Sequence, residues 1–210
     1  MSEAAPVIRI LVVDDHVLLR DGIVALTASQ ADMKVVAEGA NGREAIQLFR
    51  AHRPDITIMD LQMPEMNGLE AIVAIRGEFP GARIVVLTTY AGDVQALRAL
   101  QAGAHAYMLK NLVHKELLDA IRVVQAGRKT MSPQVSCDLA EHATDEALTK
   151  AETDVLRLIA AGNANKQIAD QLSITEETVK GRVRNILSKL GAHDRTHAAM
   201  IGLKRGIIEI

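Results

Sequence analysis

Asp14, Asp15, Asp60, Thr88 and Lys110 each stand at or just past the end of a short apolar run, namely residues 7–13, 56–59, 83–87 and 106–109. Three carboxylates brought to one place repel each other unless a cation sits among them. Mg²⁺ suits such a place, because it prefers one or two carboxylates completed by other oxygen ligands and water. With the ion bound, Asp60 can act as a nucleophile toward a phosphoryl donor, since phosphoryl transfer needs mainly in-line positioning and charge neutralisation. Lys110 would then pair with a phosphoryl oxygen, and Thr88 would offer it a hydroxyl hydrogen bond. Thr88 and Thr89 both follow their apolar run, and Thr88 is chosen because it ends that run directly.

The elements that must position these residues are legible in the periodicity. Residues 7–13 stop at Asp14-Asp15-His16, after which Leu19, Ile23 and Leu26 recur at helical spacing. A second strand fits Met33 to Ala37, and Asn41 can cap a helix that Arg53-Pro54 closes. The third strand ends at Asp60, and a Pro-containing loop closed by Gly68 leads into the next helix. Strands over Arg83 to Leu87 and Ala106 to Leu109 enclose a helix from about Asp93 to Ala102, and Leu117, Ile121 and Val124 mark a fifth helix. Such alternation predicts a doubly wound five-stranded parallel sheet, covered on both faces because each right-handed crossover lays its helix on the sheet. Chemistry in such a fold lies beyond the carboxyl ends of the strands, where these polar residues fall. Taken alone, Asp14-Asp15 reads as a solvated turn, Asp60 as a loop acid and Tyr107 as core packing; convergence on one sheet edge reverses the reading of the acids.

From Gly127 to Leu148 periodicity lapses and Thr, Ser, Pro, Asp and Glu dominate, which predicts a linker with a helical stretch around Val135 to Ala143. Four helices follow. Thr149 and Glu152 form a capping-box pattern ahead of Lys150 to Ala161, Asn165 to Leu172 ends in a tight turn, and Thr175 caps a third helix with Glu176-Glu177 in its first turn. That helix carries Val179, Val183, Ile186, Leu187 and Leu190 on one face, with Lys180, Arg182, Arg184 and Lys189 elsewhere; a last helix runs from about Arg195 to Lys204. Lys and Arg exceed Asp and Glu by 10 to 7 in residues 150–210, against 13 to 15 in residues 1–128 and 1 to 4 in residues 129–149. A basic excess confined to this end is what a nucleic-acid-binding module would show.

The sole cysteine, Cys137, excludes intramolecular disulfides and clustered thiolate zinc sites. Aromatics at 2% and the absence of Trp predict aliphatic cores. No apolar run approaches membrane-spanning length and no signal sequence opens the chain, so a cytoplasmic protein without a membrane partner is expected. The seven histidines show no ligand clustering and are assigned no role.

Residues 7–126 resemble the receiver domain of bacterial two-component response regulators, through Val12-Val13-Asp14-Asp15, the stretch Asp60 to Gly68, Thr88 and Tyr107-Met108-Leu109-Lys110. The resemblance implies a CheY-like receiver with the flavodoxin-like strand order 2-1-3-4-5. It implies that a sensor histidine kinase phosphorylates Asp60, that Asp14, Asp15, Asp60 and the backbone carbonyl of Gln62 hold Mg²⁺, and that Thr88 and Tyr107 report phosphorylation while Lys110 binds the phosphate. Asn111 stands where many receivers have Pro. Residues 149–207 resemble the LuxR-type helix-turn-helix domain of the NarL/FixJ subfamily, through residues 148–152, 162–169 and 177–187. This implies a small all-α domain with Thr175 to Leu190 as recognition helix. Lys180, Gly181 and Arg184 would then face the major groove of double-stranded promoter DNA, Lys166 and Thr178 would meet phosphates, and Arg182, where the family often has His, could add a phosphate contact.

The expected organisation is a receiver over 1–128, a linker over 129–147 and a DNA-binding domain over 148–210. The expected protein is a transcription regulator rather than an enzyme, beyond phosphorylation and dephosphorylation of itself, in which phosphorylation switches either pairing of receivers into a homodimer or release of a DNA-binding domain masked by its own receiver. Two alternatives are a regulator that binds DNA irrespective of phosphate and a phosphatase using an Asp nucleophile. Phosphatases resembling haloacid dehalogenases carry a second acid two residues past the nucleophile, where Gln62 stands here.

Overall fold

The computed structural model describes residues 7–89 and 92–208, with all side chains in that span except those of residues 112–115. The apolar runs become strands β1 (Ile8–Val13), β2 (Met33–Gly39), β3 (Ile56–Asp60), β4 (Ile84–Thr88) and β5 (Ala106–Leu109). Helices α1 (Val17–Ala28), α2 (Gly42–His52), α3 (Gly68–Glu78) and α4 (Asp93–Gln101) alternate with them, and a 3₁₀ turn, Lys110–Leu112, leads from β5 into α5 (Val113–Gln125). The strands pair in parallel. Every residue of β3, β4 and β5 is buried, as expected of strands covered on both faces, whereas β2 at the edge is largely half-exposed.

The expected five-stranded sheet is corrected to six. Thr130–Met131 forms β6, parallel to β5, and the order is β2-β1-β3-β4-β5-β6. Two residues are too few to display a strand period, so β6 lay hidden in the stretch read as linker. That stretch also holds α6 (Pro133–Glu141), close to the helical stretch expected there.

The described residues fall into two compact units, 7–89 with 96–136, and 92–95 with 137–208. The core of the first is aliphatic, with Ile10, Val12, Ile23, Ile58, Leu87 and Ile121 almost wholly buried. In the second, α7 (Lys150–Ala160), α8 (Asn165–Leu172), α9 (Glu176–Leu190) and α10 (Arg195–Lys204) enclose Val155, Leu156, Ile168, Val179, Ile186 and Ala198. Its boundaries are set chemically. The Thr149 hydroxyl accepts from the Glu152 N–H while the Glu152 carboxylate accepts from the Thr149 N–H, completing the capping box at α7. Thr175 caps α9 by accepting from the Thr178 N–H, and Gly191, at φ +60°, closes it.

Candidate functional site

Strand register places the acidic site. Val13 pairs with Met59, so the next residues, Asp14 and Asp60, leave neighbouring strands at one level. Asp60 pairs with Leu87, putting Thr88 one step beyond; Thr88 pairs with Leu109, putting Lys110 one step beyond that. The β1/β3 neighbourhood is also where strand order reverses, the place at which doubly wound sheets bind their ligands. Asp14, Asp60, Thr88 and Lys110, scattered over nearly a hundred positions, thus share one edge.

At that edge Lys110 Nζ lies 2.8 Å from Asp60 Oδ2 and 2.8 Å from Asp14 Oδ2, with all three side chains largely buried. The contact to Asp60 is a hydrogen bond. That to Asp14 is an ion pair of the same length, with Asp14 Oδ2 buried against the ammonium. Two buried carboxylates facing one ammonium leave excess negative charge, which a divalent cation would offset. Burial pushes the Asp60 carboxyl above its ordinary value despite the opposing pull of Lys110, and the nearby Asp14 adds to the rise. Burial works to lower Lys110, yet its bonds to Asp14 and Asp60 outweigh that and hold the ammonium above its ordinary value.

The remaining receiver-like residues fall into place around this pair. The Gln62 N–H reaches Asp60 Oδ1 at 3.3 Å, so the chain turns over the carboxylate directly after β3. The loop from Leu61 to Gly68 is closed by Gly68 N–H donating to the Leu61 carbonyl at 2.9 Å and by an Asn67/Glu70 capping box on α3. Thr88 and Tyr107 are both fully buried and share a side-chain hydrogen bond, while Thr89 is exposed. Burial pushes the Tyr107 phenol well above its ordinary value, so it stays a neutral hydrogen-bonding group. After Lys110 the chain enters the 3₁₀ turn with Asn111 in it, and the described residues contain no cis peptide bond.

His16 is the residue that the sequence reading left without a role. Its Nδ1 lies 2.8 Å from Asp15 Oδ1 and 3.3 Å from Asp14 Oδ1. Asp14, Asp15, His16 and Asp60 each present an atom suited to a metal ion, all within 4.8 Å of one another. Counting histidines against other histidines had hidden this one, whereas its adjacency to Asp14-Asp15 was the available signal.

On α9, Val179 and Ile186 are fully buried, and Thr178, Lys180 and Arg184 are exposed. Gly181 and Arg182 are half-exposed, and a Cβ built at Gly181 would meet nothing within 4 Å. Lys166, in the first turn of α8, is exposed as well. Lys180 Nζ stands 3.7 Å from both Glu176 and Glu177, a loose pairing that leaves it available to a stronger anion. The cationic side chains therefore lie off the packed stripe of a capped, exposed helix.

Residues 10–122 match the family of response regulator receiver domains, and residues 146–201 match bacterial regulatory proteins of the luxR family. Response regulator protein VraR of Staphylococcus aureus is 38% identical over 207 residues, covering 96% of this chain and 99% of its own. Among solved structures, a LuxR-family two-component response regulator from Aurantimonas is 40% identical with a TM-score of 0.64, covering 66% of this chain and 99% of its own. The RcsB response regulator of Salmonella typhimurium, solved in a study of its interaction with DNA, is 25% identical with a TM-score of 0.71, covering 92% of this chain and 98% of its own. No described helix is long and apolar enough to cross a membrane. A phosphatase reading is not supported by these relatives, and the chain belongs to the two-component response regulators that join a receiver domain to a LuxR-type DNA-binding domain.

Proposed function

We propose that a sensor histidine kinase phosphorylates Asp60 and that this controls binding to promoter DNA, in the cytoplasm, by a protein that performs no catalysis beyond its own phosphorylation and dephosphorylation. The observation that carries the reading is Lys110 Nζ at 2.8 Å from both Asp14 and Asp60 on the edge where strand order reverses. Asp60 presents its carboxylate as nucleophile, and Lys110 is placed to pass from the carboxylates to the incoming phosphoryl oxygens. Asp14, Asp15, Asp60 and the Gln62 carbonyl would hold Mg²⁺, which supplies charge neutralisation for phosphoryl transfer. The donor set fits a hard divalent ion, because the buried Asp14 and Asp60 share a single ammonium and keep excess negative charge.

The hydrogen-bonded Thr88 and Tyr107 are the output: a phosphoryl group on Asp60 competes for the Thr88 hydroxyl and frees Tyr107 to take another place. The domain limits proposed are 1–128 for the receiver, 129–147 for a connection that carries β6 and α6, and 148–210 for the DNA-binding domain. Phosphorylated chains would pair as a homodimer, setting two α9 helices on half-sites about one helical turn apart. Lys180, Gly181 and Arg184 would face the groove, with Lys166, Thr178 and Arg182 toward phosphates. RcsB, described as interacting with DNA, supports the last step by likeness.

Mass and operator binding measured with and without beryllofluoride in Mg²⁺ test this reading. A mass increase and tighter binding with beryllofluoride are expected. Equal DNA affinity in both states would overturn the phosphorylation switch, and acetyl-phosphate labelling unchanged in Asp60→Asn would overturn the assignment of Asp60.

A further inference from the structure

The acidic edge contains one candidate ligand that is not an oxygen. His16 Nδ1 stands 2.8 Å from Asp15 Oδ1 and 3.3 Å from Asp14 Oδ1. Ligands on neighbouring corners of an octahedral ion lie roughly 3.0 Å apart when each bond is about 2.1 Å. His16 Nδ1 therefore already stands at about the spacing of an adjacent ligand from each of the two acids. The backbone sets this up: His16 is the residue preceding α1, and its N–H donates to Asp14 Oδ1 at 2.9 Å, turning the chain so that its ring returns over the two acids. A second observation points to an ion, namely that the buried Asp14 and Asp60 carboxylates share one ammonium, Lys110 Nζ at 2.8 Å from each, which leaves negative charge for a cation to offset. The His16 side chain is 65% exposed, so its ring can turn onto an ion without displacing core packing.

We propose that His16 Nδ1 is a ligand of the metal site, taking a corner that water would otherwise fill, and that it tilts the site toward first-row transition ions over Mg²⁺. The inference rests on the reading of the acidic edge as a metal site. Mg²⁺ favours oxygen ligands, whereas imidazole nitrogen adds affinity for first-row transition ions. With its hydrogen on Nε2, the ring presents the Nδ1 lone pair toward Asp15 and Asp14. The competing arrangement is an ordinary hydrogen bond from Nδ1–H to Asp15.

Mn²⁺ is the probe that separates the two, because its free ion is read by EPR and a directly bound imidazole imprints a ¹⁴N coupling on the bound ion. The full chain, His16→Ala, Asp15→Asn and Asp60→Asn would be titrated with Mn²⁺, then competed with Mg²⁺. The wild-type protein is expected to show imidazole ¹⁴N coupling that His16→Ala lacks. The preference for Mn²⁺ over Mg²⁺ should fall about tenfold in His16→Ala, with Mg²⁺ binding retained. Binding that is lost in Asp15→Asn and Asp60→Asn but shows no ¹⁴N coupling in the wild type, or a preference unchanged in His16→Ala, would overturn the role of His16 alone. Mn²⁺ binding indifferent to Asp15→Asn and Asp60→Asn would overturn the metal site itself.

Discussion

Gly68 admits no side chain because Asp60 occupies the space: a Cβ built there would lie 1.9 Å from the Asp60 carbonyl oxygen. The first residue of α3 thus rests on the backbone of the residue that ends β3, and the loop between them is fixed by the Gly68 N–H bond to Leu61. Gly68→Ala can be accommodated only by moving the Asp60 backbone, since the obstacle is main chain rather than a flexible side chain. A loss of about 1–3 kcal/mol is expected from overpacking. Acetyl-phosphate labelling should fall more than stability does, because Asp60 is displaced from Lys110. Labelling at the wild-type rate in a folded Gly68→Ala protein would show that this contact does not position the nucleophile.

Tyr107 offers a test of signal output separate from phosphorylation chemistry. Its hydroxyl bonds to Thr88, and Asp60 acts on it through charge. Tyr107→Phe should leave labelling of Asp60 near wild type while weakening the gain in mass and DNA affinity that beryllofluoride brings. A loss of stability of about 1 kcal/mol is expected for the missing hydrogen bond. Equal beryllofluoride responses in Tyr107→Phe and wild type would remove Tyr107 from the output.

The strand ends were legible because parallel strands buried on both faces must be continuously apolar, so the first polar residue marks the edge; Asp14, Asp60 and Lys110 all betray themselves this way. Capping was equally readable, as Thr149 with Glu152 and Thr175 show, because the bonds involved are local in sequence. What escaped depended on contacts or lengths without a local signature. β6 is two residues long and exists through its pairing with β5. The approach of the His16 ring to its neighbouring acids follows from a backbone turn that residue types do not specify. Lys110 was placed by register, but its simultaneous approach to Asp14 and Asp60 needed the strands to be aligned in space.

Glu152 links the stability of the second unit to pH. Burial works to raise its carboxyl, but the Thr149 N–H at 2.8 Å, Lys189 Nζ at 3.0 Å and the Thr149 hydroxyl outweigh this and hold it below the ordinary value of 4.5. A carboxyl lowered by folding contributes stability that is complete above its unfolded value and is lost as pH falls through the folded one. Glu152→Gln should therefore destabilise the chain by about 1–2 kcal/mol near neutral pH through loss of the cap and the Lys189 pairing. The difference from wild type should shrink as the pH is taken below 4.5. Thermal melts of both proteins across that range check the sign: a difference that grows on acidification would contradict it.

The recognition helix makes a prediction in which two kinds of loss are distinguishable. Lys180 and Arg184 extend from α9 on either side of Gly181, where no neighbouring atom lies within 4 Å of a built Cβ, so DNA can approach the helix backbone closely. Lys166 projects from the first turn of α8, where a cation meets phosphate rather than a base edge. Lys166→Ala should weaken binding to every sequence alike and reduce the salt slope by about one unit, whereas Arg184→Ala should cost about 1–3 kcal/mol and relax discrimination between operator and random duplex. Lys180→Ala should fall between these, because Glu176 and Glu177 already share its charge at 3.7 Å. Operator and random-duplex affinities measured over a series of salt concentrations decide the matter. Unchanged discrimination in Arg184→Ala, or a salt-independent wild type, would mean that α9 does not read the groove.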